Sequence, residues 1–138
     1  MKGRGRELTR FATEPSASYG WNISPEGARI AIVKQPEARI HILSFDGQVP
    51  REIAVKGWDN FTNTVWAEDG KGLFVSSTTK GGPTLLHVDL QGNAHVLWQS
   101  KGETGSGIPL YGVPSPDGRH LAIHSSTLNS NMWTIESF

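Results

Sequence analysis

Cysteine is missing altogether from this 138-residue chain, so disulfide staples and thiolate metal sites are excluded. An excess of charge of either sign is missing too. Thirteen basic side chains stand against thirteen acidic ones, and the formal net charge is zero. That balance gives no electrostatic footprint for nucleic acid or an anionic lipid surface. The one local excess, Lys2, Arg4, Arg6 and Arg10, reads as a solvated terminus. No run of 18 apolar residues exists, so no membrane span is expected. No apolar stretch follows the charged first ten residues, so no signal peptide is visible. The chain is expected to be either cytoplasmic, or the mature or truncated form of something longer. Helical periodicity is absent as well: no window keeps apolar residues at i, i+3, i+4 and i+7 over three turns.

What is present is punctuation. Sixteen glycines and eight prolines divide the chain into short stretches rich in Ile, Val, Leu, Thr and Trp, a spacing that predicts an all-β fold. One phrase recurs. It reads Trp21-Asn22-Ile23-Ser24-Pro25-Glu26-Gly27, then Trp66-Ala67-Glu68-Asp69-Gly70, then Val113-Pro114-Ser115-Pro116-Asp117-Gly118, each followed by an apolar strand. The turn glycines Gly27, Gly70 and Gly118 are 43 and 48 residues apart. Self-similarity at that period is the signature of a repeat architecture.

Aligned on those glycines, the first unit gives strands Tyr19–Ile23, Arg29–Val33, Arg39–Phe45 and Arg51–Val55. The second gives Thr64–Ala67, Leu73–Thr78, Thr84–Leu90 and Ala94–Gln99. The third gives Leu110–Val113, His120–His124 and Met132–Glu136. An orphan strand, Glu7–Phe11, precedes the first unit. The spacing predicts a single domain, 1–138, of three four-stranded antiparallel β-propeller blades. Their bounds are 19–56, 63–99, and 109–137 plus 7–11.

These residues resemble the TolB-like, WD-repeat-like propellers of bacteria, whose repeat carries a Trp, then Ser-Pro-Asp-Gly, then an apolar strand. Ser24-Pro25-Glu26-Gly27 and Ser115-Pro116-Asp117-Gly118 match nearly residue for residue. The middle copy has lost the Ser-Pro pair, and Tyr111 stands near the place of the third Trp. The resemblance implies a six- or seven-bladed ring. Three blades are fewer than such a ring needs, and an open arc would expose two apolar blade faces. The expected partner is therefore a second copy: a homodimer closing a six-bladed ring, with Met132–Glu136 of one chain paired to Glu7–Phe11 of the other.

The chemistry-bearing residues form no catalytic set. His41, His87, His95, His120 and His124 fall on predicted strands, and His120 and His124 would stand roughly 13 Å apart on one. No metal site is expected from them. No serine lies in a Gly-x-Ser-x-Gly elbow. Gly102, Gly105 and Gly107 form a loop without the Gly-Lys-Ser/Thr ending of a phosphate binder. Asp46, Asp69, Asp89, Asp117 and Glu26 lie at turns and are expected to cap their own backbone. Trp21, Trp66, Trp98 and Trp133 are expected to pack between blades.

Trp58 stands apart, in the polar inter-blade loop Lys56-Gly57-Trp58-Asp59-Asn60-Phe61. Trp58, Asp59, Asn60 and Phe61 are the candidate binding residues, with the two aromatics as anchors. The alternative is a packed cover over the blade rim. The loops Thr13–Ser18, Lys56–Asn63 and Lys101–Pro109 would share one mouth of the channel. The function expected is a non-catalytic protein-interaction or ligand-binding module, with no cofactor, no enzymatic activity and the possibility of a protein partner. The alternative is the propeller fragment of a larger enzyme such as a prolyl-oligopeptidase-like serine peptidase.

Overall fold

The computed structural model describes residues 5, 7–79, 81–100 and 110–124. Ten strands are found there and no helix: β1 (Tyr19–Ile23), β2 (Arg29–Lys34), β3 (Arg39–Ser44), β4 (Arg51–Ala54), β5 (Phe61–Trp66), β6 (Gly72–Thr79), β7 (Gly82–Asp89), β8 (Ala94–Gln99), β9 (Tyr111–Pro114) and β10 (Leu121–His124). They form two four-stranded antiparallel sheets, β1-β2-β3-β4 and β5-β6-β7-β8, and the pair β9-β10. The expected strand Met132–Glu136, Trp133, the turn Thr127–Asn131 and the loop Lys101–Pro109 lie outside the described residues.

The recurring phrase builds the same turn three times. Gly27, Gly70 and Gly118 all take φ between +64° and +72°, a region that disfavours side chains. Each donates its N–H to the carbonyl three residues back: Ser24, Ala67 and Ser115, at 2.8, 2.9 and 2.9 Å. The serine has its own task. The Ser24 hydroxyl accepts the Arg29 N–H, and that of Ser115 accepts the His120 N–H, each at 3.0 Å. Ala67 cannot do this, and the turn there relies on Asp69, whose carboxylate accepts the Lys71 N–H at 2.9 Å. The four turn aspartates cap backbone N–H groups, while the Glu26 carboxylate accepts the Arg29 guanidinium N–H at 2.6 Å. Asp46 accepts from Gln48, Asp89 from Gln91 and Asn93, and Asp117 from Arg119.

The core lies between the first two sheets. In an antiparallel pair, directly opposed residues share a face. One face of the first sheet therefore carries Gly20, Ala31, Val33, Ile40, Ile42 and Ile53. It packs on Trp66, Leu73, Val75, Leu86 and Val88 of the second sheet. The second sheet's other face receives β9. The Ser76 hydroxyl donates to the Leu110 carbonyl, and a Cβ on Gly112 would stand 2.8 Å from Leu85 Cδ2.

Three expectations need correction. β5 begins at Phe61 rather than Thr64, with a bulge at Thr62. β7 begins at Gly82 rather than Thr84, so Pro83 lies in it, opposite Thr78. His120 precedes β10 instead of lying on it. Glu7–Phe11, expected to pair with a second chain, takes part in no strand among the described residues; Phe11 packs its ring against Tyr19, centroids 5.9 Å apart, and against His41, at 5.5 Å.

Candidate functional site

The loop expected to bind is largely committed to structure. Phe61 is fully buried and donates its N–H to the Glu37 carbonyl at 3.0 Å, so it cannot act as a contact anchor. That removes it from the candidate set. Asn60 takes φ +50°, a conformation asparagine tolerates better than most residues. Its side-chain amide donates to the Thr78 hydroxyl, and its carbonyl accepts the Thr78 N–H at 3.2 Å. The Asp59 carbonyl accepts the Ser77 hydroxyl at 2.6 Å. Trp58 is half-buried against the core. What the loop offers to solvent is Lys56, Gly57, Asp59 and part of Trp58.

On the same rim, Lys34 donates to Glu14 at 2.7 Å and to Glu37 at 2.9 Å. The Glu14 carboxylate first, and Glu37 second, hold the Lys34 ammonium well above the ordinary lysine range. The Lys34 hydrogen bond in turn holds Glu37 below the usual carboxylate range. Glu14 also donates its N–H to the Tyr19 hydroxyl at 2.7 Å. These bonds tie residues 11–14 to the first sheet.

At the opposite rim a cleft of about 740 Å³ separates the second sheet from β9-β10. Among the described residues its walls include Phe74, His87, Leu97, Asp69, Asp117 and His120. The Ser115 hydroxyl holds Asp117 below the usual carboxylate range, and Arg119 lines the same wall beside it. The described residues contain no cluster of three or more His, Cys, Asp or Glu able to hold a metal.

Exposed apolar side chains lie on the outward faces of the first sheet and of β9-β10, as they do at Val49 and at Val96 and Leu97 of β8. β1 is two-sided. Gly20 and Asn22 face the second sheet: Trp66 donates its backbone N–H to Asn22 Oδ1 at 3.0 Å and its indole N–H to the Asn22 carbonyl at 3.1 Å. The Arg29 guanidinium lies 4.4 Å from the centre of the Trp66 ring and donates to the Gly70 carbonyl at 3.1 Å. Trp66 is 2% exposed as a result. Trp21 and Ile23 point the other way and are 61% and 45% exposed. Trp21 was expected to pack between blades; among the described residues no sheet covers its face. At the far end Tyr111 and Val113 of β9 face outward, 36% and 55% exposed. A signal for these residues was in the repeat itself. They occupy strand positions in the first and last of the three repeat units.

The class this architecture defines is an all-β protein of stacked four-stranded antiparallel sheets, as propeller blades are. No family model and no curated protein matches the chain. Among solved structures it is similar to "putative TolB" from Agrobacterium tumefaciens, at 20% identity and a TM-score of 0.56. The match covers 73% of this chain and 35% of that one, so the matched region spans about a third of the neighbour. At that identity the likeness concerns the fold: a TolB-like arrangement of β-sheets.

Proposed function

We propose that this chain is a non-catalytic β-propeller module that works by associating with protein, and that its contact surfaces are the outward faces of its first and third sheets. The observation that supports this reading is the contrast across β1, where Trp66 is sealed on one side and Trp21 is 61% exposed on the other. A blade face carrying Trp and Ile side by side marks an association surface. Aromatic residues at such a surface contribute disproportionately to contact energy.

The test is a double variant, Trp21→Ser with Ile23→Thr. Both positions are exposed, so far-UV circular dichroism and melting should match the wild type to within about 0.5 kcal/mol for the dissociated chain. The variant should lose any species above monomer mass. If the wild type is itself a monomer, the variant should lose the binding of an apolar fluorescent dye. A variant that matches the wild type in both mass and dye binding overturns the contact faces. Turnover of a generic esterase, peptidase or phosphatase substrate, abolished by a single substitution, overturns the non-catalytic reading.

A further inference from the structure

We infer that the outward face of the first sheet is the docking surface for the third sheet of a second copy of this chain. The inference rests on the association reading above and names its partner. The seam between the first and second sheets shows what an occupied face looks like. Counting back from the turn glycines, Ile23, Trp66 and Pro114 are equivalent, as are Asn22, Val65 and Val113. In the occupied seam, position Asn22 of one sheet meets position Trp66 of the next. The same rule, applied once more, sets Val113 of one copy against Ile23 of the other. Both are apolar and about half exposed in the single chain.

The first sheet's outward face is not wholly bare, and the way it is covered identifies the occupant. By register, Trp21, Ile32, His41 and Glu52 share that face, running from the inner to the outer strand. Phe11 sits on His41, over the third strand, while Trp21 on the first strand is left open. In the occupied seam the outer strand β4 takes the corresponding place. Its Ile53 and the following Val55 belong to the core against the second sheet, and Gly92 beyond β7 lies close to the Ala54 carbonyl. Val55 stands six residues before β5 begins, and Phe11 eight residues before β1. Residues 7–11 therefore lie where the outermost strand of an adjoining blade would stand, and no inner strands for that blade are found among the described residues. Among those residues 7–11 take part in no strand.

The third sheet has the reciprocal composition. Its inner strands β9 and β10 are present, and the outward face of β9 presents Tyr111 and Val113 to no neighbour among the described residues. Seating β9-β10 of a second copy beneath the Phe11 segment supplies the two inner strands of that blade. A twofold axis makes the contact twice and closes a ring of six, so no blade face is left over. Consistent with this, the TolB-like neighbour is about twice the length of this chain, since the same match is 73% of one and 35% of the other.

The pairing is head-to-tail between two different faces, and charge swapping tests that geometry. Static light scattering of the full chain at micromolar concentration should give twice 15.0 kDa. Ile23→Glu and Val113→Lys, each alone, should halve the mass, because each places a lone charge in both seams. An equimolar mixture of the two variants should return to the dimer mass. One of its seams is wild type, and the other sets the new carboxylate against the new ammonium. Trp21→Glu with Tyr111→Lys is the second pair, should either first variant fail to give the wild-type circular dichroism spectrum. A wild-type dimer whose variants dissociate but are not rescued by mixing overturns the head-to-tail contact. A wild-type monomer overturns the second copy as occupant. If that monomer also binds no apolar dye at the Trp21 face, the association reading falls with it; if it does bind, that reading stands for a different protein partner.

Discussion

The two sides of β1 carry opposite fates in five residues. Toward the second sheet are Gly20 and Asn22: one has no side chain, and the other gives both its carboxamide oxygen and its carbonyl to Trp66. Away from it are Trp21 and Ile23, large and exposed. A small or polar residue where a neighbour is present, and a large apolar one where none is, inverts the usual arrangement of a surface strand. The comparison teaches that burial on this strand follows the presence of an adjoining sheet and not side-chain polarity. It also separates two kinds of substitution: those that break the occupied seam, and those that should be silent until a partner arrives.

The largest effect is expected at the seam's centre. Trp66→Ala should destabilise the chain by about 3 to 5 kcal/mol, read as a loss of denaturant midpoint, because it empties a core position and frees the Arg29 stack. Gly20→Ala comes next. Its Cβ would lie 2.8 Å from the Asn63 Cα, a backbone atom that cannot step aside. A cost of about 1 to 3 kcal/mol should follow, as for other overpacked sites. Thr64→Val should act in the opposite direction. Thr64 is fully buried and its hydroxyl has no hydrogen-bond partner, so the isosteric apolar residue should add about 1 kcal/mol of stability. Trp21→Ser, measured at concentrations where the chain is dissociated, should change stability by no more than about 0.5 kcal/mol. The contrast between Trp66 and Trp21 would collapse if the two variants melted alike.

The smallest effect is on pH. Glu26, held down chiefly by Arg29, Glu37 by Lys34, Asp89 by the Asn93 amide and Asp117 by the Ser115 hydroxyl all have folded pKa values below the ordinary carboxylate value. Each contributes stability above its unfolded pKa and loses it as pH falls through the folded one. Lys34 is shifted upward, so its contribution is present below the ordinary lysine value and lost only as pH rises through the folded one. The melting temperature should be flat between about pH 5 and 10 and fall on the acid side. Glu26 and Asp117 are exposed and Glu37 and Asp89 partly so, and the acid slope should therefore be shallow.

Much of the fold is legible in the sequence because its determinants are local. Tyr19–Ile23 and Ala94–Gln99 begin and end where alternation and turn residues place them. The three turn glycines adopt the conformation that their position after Ser-Pro-Glu, Glu-Asp or Ser-Pro-Asp requires. The candidate loop was less legible because its determinants are distant. Asp59-Asn60-Phe61 reads locally as a polar turn with a displayed aromatic. Phe61 is buried because Glu37, twenty-four residues back, accepts its N–H and the two sheets close over it. The bulge at Thr62 and the strand position of Pro83 are likewise set by cross-strand pairing. The exposure of Trp21 depends on which sheet stands beside it, and no local pattern encodes that.

One measurement reaches the central claim at the level of a single residue. Hydroxyl-radical footprinting of the full chain, read by mass spectrometry, compares Trp21 and Trp66 in the same sample across a dilution series. The account predicts that Trp66 is protected throughout. Trp21 should be protected at micromolar concentration and become reactive on dilution, as a side chain 61% exposed in the lone chain must. A Trp21 that reacts at the same high rate at every concentration would contradict it.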